Sequence, residues 1–170
     1  MKSALAIFAL VFAFSAFAHE HHDASASMPK DFETLKKLVG TWEGTTTMNG
    51  KTMPAKVVYT LTSGGTVVEE KLAPGTEHEM VSLYYKEGSS LAMTHYCAEG
   101  NHPEMKLKKA DGKSIAFEMT TPTGVTSMNE PHMHALTLTM ADNNSLKQEW
   151  TNFTGGKKAE TAVFTFKRKM

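Results

Sequence analysis

From Thr41 to Arg168 the chain alternates apolar and polar residues in short runs, and turn-forming residues break the alternation at near-even spacing. In an extended strand residues two apart share a face, so each run has one apolar side and one polar side. Ten strands are predicted, at about 41–48, 54–62, 65–72, 78–86, 90–97, 104–110, 113–121, 131–140, 145–153 and 159–168. The breaks are Asn49-Gly50, Ser63-Gly64, Pro74-Gly75, Glu87-Gly88, Gly100-Asn101, Asp111-Gly112, Thr123-Gly124, Asp142-Asn143 and Gly155-Gly156. Each supplies positive φ or a local side-chain bond to a tight turn. Val57, Tyr59 and Leu61 share a face, as do Ile115, Phe117 and Met119, and Ala162, Phe164 and Phe166. Lys106, Lys108, Glu118, Thr137, Thr139, Lys147 and Glu149 fall on the opposite faces. Strands with one apolar face and short connections form an antiparallel meander, and closure into an up-and-down β-barrel removes its exposed edges. A flattened sandwich of the same strands is the second choice.

One helix precedes the strands. Phe32, Leu35, Leu38 and Val39 recur at helical spacing, with Asp31 placed to cap the start and Gly40 to end it. Residues 19–30 have no periodic apolar face and form a flexible, His-rich linker. Residues 1–18 have the layout of a secretory signal peptide. Lys2 is the positive start, 4–14 the apolar stretch, and Ala16-Phe17-Ala18 the small-residue cleavage site. The expected product begins at His19, in the periplasm or outside the cell, with no membrane span after processing. The barrel domain is then 31–170, long enough for one core.

Charge narrows the function. The 18 basic and 18 acidic residues balance, which excludes the basic footprint of a nucleic-acid binder. The single cysteine, Cys97, has no internal partner for a disulfide. The oligomeric state is not readable.

Candidate chemistry lies where the alternation puts polar groups on apolar faces. His95 and Cys97 share parity with Leu91 and Met93; His132 and His134 share parity with Leu136, Leu138 and Met140. Burying such groups costs free energy unless they are paired or used. In a meander, odd strands end at the rim where even strands begin. His95 and Cys97, His132 and His134, His78 and Met80, His102, and Trp150 with Asn152 are therefore expected at one rim, beside the longest connections, 73–77, 98–103 and 122–130. At the other end, Trp42 opens the first strand and Arg168 closes the last. Arg168 is the one arginine beside 17 lysines, and on the parity of Phe164 and Phe166 it is placed to cover the Trp42 ring as a structural lock.

The short helix, the Gly40-Thr41-Trp42 entrance to the first strand and the late basic residue resemble the lipocalin and fatty-acid-binding (calycin) superfamily. The run Leu38-Val39-Gly40-Thr41-Trp42-Glu43-Gly44 is also similar to nitrobindin-type ten-stranded barrels. Thr94-His95-Tyr96-Cys97, the Gly-Asn-x-Pro-x-Met segment from Gly100 to Met105 and the His-rich start of a late strand resemble a family of uncharacterised, often secreted, lipocalin-like bacterial proteins. The resemblance covers about 32–169 and implies the barrel without an activity. Nitrobindin-like barrels hold haem through a histidine late in the chain. Here the last histidine is His134, and the last two strands carry none, so haem is not expected.

Three functions fit these residues. The first is a barrel that binds a small-molecule ligand. Met93, Phe117, Met119, Leu136 and Leu138 would form its apolar wall, and His95, Cys97, His132, His134, His78, Tyr59, Tyr84 and Trp150 its contact groups. The second is a transition-metal site for copper or zinc on His95, Cys97, His132 and His134, ligand types that suit those ions. A separate N-terminal chelate would use His19 and His21 with the new amine. The third is an enzyme with His95 or His134 as general base or Cys97 as nucleophile. It ranks last, since no catalytic set is identified. The methionines do not form a copper-binding repeat, and Met93, Met119 and Met140 are expected to fill the core.

Overall fold

Ten antiparallel strands close into a barrel in sequence order, with β1 hydrogen-bonded to β10. A computed structural model describes residues 28–48 and 50–170. The signal segment and the His19 and His21 chelate lie outside the described residues, as does most of the linker. Helix α1 (Phe32–Lys36) leads into β1 (Gly40–Met48), β2 (Lys51–Thr62), β3 (Val67–Leu72), β4 (Met80–Glu87) and β5 (Ser90–Tyr96). The second half comprises β6 (Glu104–Ala110), β7 (Ser114–Glu118), β8 (His132–Asp142), β9 (Ser145–Thr154) and β10 (Lys157–Arg168). All ten strands predicted from the alternation are present. Among the described residues no helix is long and apolar enough to cross a membrane.

The helix is shorter than its apolar spacing predicts. It ends at Lys36, and Asp31 makes no side-chain cap bond. The carbonyls beyond it are taken by side chains from elsewhere. Arg168 donates through Nη2 to the Lys37 carbonyl at 2.6 Å and through Nη1 to the Val39 carbonyl at 2.7 Å. Trp42 Nε1 donates to the Leu38 carbonyl at 2.7 Å. The Arg168 guanidinium lies 4.1 Å from the Trp42 ring centroid, and the two residues are register partners across the β1–β10 seam. Gly40 does not terminate the helix; it begins β1 at φ +133°, where a Cβ would stand 2.9 Å from Arg168 Nη1. Bonds to a charged donor are stronger than neutral ones, so this end of the barrel is closed firmly.

The interior is filled, not hollow. Trp42, Tyr59, Tyr84, Met93, Met105 and Phe117 are all fully buried. Side chains occupy the axis of a barrel this narrow. The expected wall of Met93, Phe117, Met119, Leu136 and Leu138 is therefore packed core.

One irregularity changes which residues face inward. Between β8 and β9, Met133 pairs with Asn152 but Ala135 pairs with Thr151, so His134 is an extra residue in a β-bulge. A bulge shifts side-chain parity across it. Leu136 pairs with Trp150 on the inner side, whereas His132 pairs with Phe153 on the outer side. Ahead of the bulge it is Met133 that points inward, toward the same space as His95 and Trp150.

Candidate functional site

The rim opposite the Trp42–Arg168 lock holds a small cavity. Its volume is about 50 Å³. The strand ends supply its walls. Met48, Met80 and Met133 come from the end of β1 and the starts of β4 and β8, and Leu72, Ala162 and Phe164 from β3 and β10. His95 and Trp150 complete it, with ring centroids 4.5 Å apart. Drug-sized ligands need roughly 300 Å³ or more, so only an ion or a few heavy atoms fit this space.

His95 is 1% exposed. Its Nδ1 is 3.0 Å from Ser82 Oγ, and its Nε2 is buried with no hydrogen-bond partner. Burial holds its pKa down at about 4, so the ring is neutral near pH 7. With Nδ1 protonated the ring donates to Ser82 Oγ, and the Nε2 lone pair is left toward the cavity. On the same strand as Ser82, Tyr84 Oη donates to Glu70 Oε2.

The acceptor of the Tyr84 hydroxyl is a buried carboxyl group. Glu70 is fully buried on the inner face of β3, between Val68 and Leu72. Besides Tyr84 it takes hydrogen bonds from Tyr59 and, at 3.2 Å, from Gln148 Nε2. Gln148 Nε2 also donates to Tyr59 Oη at 2.5 Å, while its Oε1 accepts from Trp150 Nε1 at 3.2 Å. Burial raises the Glu70 pKa to about 7, with the three donors working in the opposite direction. Tyr59, Glu70, Ser82 and His95 are successive register partners across β2, β3, β4 and β5, which makes them a polar belt on the barrel's inner wall. Of the cavity's two aromatic walls, Trp150 is anchored to this network through Gln148, and His95 is held by Ser82, the adjoining member of the belt.

The two other histidines of the predicted set reach the same rim but stand outside the barrel. His132 is fully buried beneath the rim loops. Its Nδ1 is 2.6 Å from the Glu130 carbonyl, so Nδ1 carries the proton and Nε2 accepts from His134 Nδ1 at 3.2 Å. His134 stacks on Phe153 with centroids 3.8 Å apart, and its pKa is lowered by burial and then by His132. The loops are clasped over this pair by Glu130. Its carboxylate accepts from the Thr126 amide and hydroxyl and from Asn101 Nδ2, which hold its pKa near 2.

Cys97 sits at the turn after β5, half-buried, and burial raises its thiol pKa. A raised thiol pKa works against use as a nucleophile. His78 is exposed beside Glu77, His102 stacks on Tyr96, and Tyr84 belongs to the belt and not to the cavity wall. The set His95, Cys97, His132 and His134 therefore does not converge. Among the described residues no group of three or more His, Cys, Asp or Glu side chains is disposed to hold a metal ion.

Glu70, Ser82 and Gln148 are absent from the sequence-derived set, yet the signal was there. Glu70 lies on the parity of Val68 and Leu72, Ser82 on that of Met80 and Tyr84, and Gln148 on that of Leu146 and Trp150. The alternation that singles out His95 singles them out equally. Met133 could not be found that way, because it points inward only by virtue of the bulge.

The fold has a structural neighbour in a protein of unknown function of the DUF3598 family from Nostoc punctiforme PCC 73102. It matches at TM-score 0.54 and 13% identity, over 79% of this chain and 49% of that one. The chain spans about half the length of that neighbour, and at this identity only the fold is shared. A redesigned β-barrel aligns over 81% of this chain and 96% of its own, at 14% identity and TM-score 0.39. No protein-family model and none of the curated proteins matches the chain. A closed ten-stranded barrel fits a calycin-like fold.

Proposed function

We propose that this is an exported calycin-like barrel that binds a small ligand in the rim cavity, through the lone pair of His95 Nε2. One observation carries the reading: a buried ring nitrogen without a partner, beside a cavity, on a ring whose other nitrogen is engaged by Ser82. An orphaned buried acceptor costs about 1–3 kcal/mol, and a ligand that supplies a hydrogen-bond donor or a Lewis acid recovers it. The apolar walls favour a ligand of few heavy atoms. The leader-like segment 1–18 supports export to the periplasm or the medium. Binding, not catalysis, is favoured, because among the described residues His95 is joined at the cavity by no second acid, base or nucleophile.

Imidazole is a suitable probe, since its N–H donates and its ring matches Trp150. Titration followed by NMR should shift the His95 Nε2 and Trp150 indole resonances saturably. His95→Phe keeps a ring and removes the nitrogen, and should abolish the saturable shift. Shifts absent from the wild-type protein, or retained in the variant, would overturn the assignment.

A further inference from the structure

We propose that the rim cavity is a site for a soft monovalent cation, copper(I) or silver(I), held by His95 Nε2 and the thioethers of Met48, Met80 and Met133, with the Trp150 indole as the remaining wall. The inference rests on the ligand-binding reading above and names the ligand class of that site.

The lining decides the chemistry. Three of the eight residues around the cavity are methionines, and they come from three different strands. Among the described residues no cysteine, carboxylate or second histidine lines it. Thioether sulfur is a soft, uncharged donor that selects copper(I) over zinc, magnesium or calcium. An apolar cavity without a negative charge also penalises a divalent ion more than a monovalent one, because the cost of burying charge rises steeply with its magnitude.

His95 supplies the harder donor in the form coordination needs. With Nδ1–H donated to Ser82 Oγ, the buried Nε2 keeps its lone pair toward the cavity. Ligating histidines characteristically donate their other ring N–H to a second group that fixes the ring. Here that group is Ser82, whose Oγ is 3.0 Å from Nδ1. The indole of Trp150 is held by Gln148, so its π-face adds cation attraction without a bond. Met48, Met80 and Met133 are only partly buried, which leaves the mouth passable to an ion.

The experiment uses the full chain with Cys97→Ser, which removes the one thiol, and methionine labelled with ¹³C at the methyl group. Silver(I) is titrated as the redox-inert form of the ion. The expected result is saturation at one equivalent, with three methionine methyls, the His95 ring and Trp150 fluorescence changing together. Assignment by Met→Leu variants at 48, 80 and 133 separates this site from the His-rich N-terminal tract. Each Met→Leu change should weaken binding, and Ser82→Ala should weaken it about 10–100-fold. Silver(I) binding that leaves those methyls and His95 unmoved would overturn the proposal. If imidazole still shifts His95 in that case, the cation class alone is wrong. If neither probe reaches His95, the ligand-binding reading falls with it.

Discussion

His95 Nδ1 stands 3.0 Å from Ser82 Oγ, and that contact decides which ring nitrogen faces the cavity. Replacing Ser82 with alanine removes the acceptor and leaves two buried nitrogens competing for one proton. The tautomer bias should be lost, at a stability cost of about 1–2 kcal/mol from the unpaired Nδ1–H. Long-range ¹⁵N–¹H spectra at pH 7 check this. In the wild-type protein Nδ1 should be protonated and Nε2 bare, and in the variant the two should approach each other in shift. A protonated Nε2 in the wild-type protein would contradict the assignment.

Glu70 and His95 push the pH dependence of stability in opposite directions. The Glu70 carboxyl is raised from 4.5 to about 7 by burial, so between those values the folded state holds a proton that the unfolded chain releases. Stability is therefore greatest below 4.5 on account of Glu70 and falls as pH rises to 7. The His95 ring is lowered from 6.5 to about 4, so as pH falls through that window only the unfolded chain gains a proton, and stability falls. Each effect is on the order of 3 kcal/mol, and they partly cancel between pH 4.5 and 6.5. Urea unfolding from pH 4 to 8 should give a shallow profile for the wild-type protein. Glu70→Gln should make stability rise with pH, and His95→Phe should make it fall. Matching slopes in the two variants would mean that neither group is perturbed as described.

The barrel was legible because its alternation is local: ten apolar faces and ten breaks can be read one run at a time. The rim was legible for the same reason, since strand direction alone sends His95, Met80 and Trp150 to one end. Facing was not fully legible. The extra residue at His134 leaves no mark in the alternation, because His132, Met133 and His134 are all plausible inward residues by composition. Met48 was given no role by the alternation, and Met80 only a place at the rim, until closure brought β1 and β4 to the same mouth as His95. Their role depends on pairing across the sheet, which no single run contains.

Because the bulge turns His134 outward against Phe153, its removal should spare the cavity. His134→Ala should cost about 1–2 kcal/mol, for the lost ring stack and the buried His132 Nε2 left without its donor, and leave the His95 and Trp150 resonances unchanged. His132→Ala should cost more, about 2–3 kcal/mol, since it empties a buried space and strips the Glu130 carbonyl of its donor. Denaturant midpoints give the costs, and the NMR spectrum gives the location. If His134→Ala moved Trp150 as strongly as His95→Phe does, the ring would have to lie inside the barrel.

At the far end, Arg168 ties β10 to the segment after the helix through the carbonyls of Lys37 and Val39 and to the β8–β9 turn through that of Asn143, while covering Trp42. Lysine keeps the charge but cannot reach three acceptors from one planar group. Arg168→Lys should destabilise the protein by about 1–3 kcal/mol and red-shift Trp42 emission as the ring gains water. The cavity lies at the opposite rim, so the imidazole-induced shifts at His95 should be the same in the variant below its unfolding transition. A loss of that response, with the fold intact by circular dichroism, would show that the two ends are coupled and that the lock does more than close the barrel.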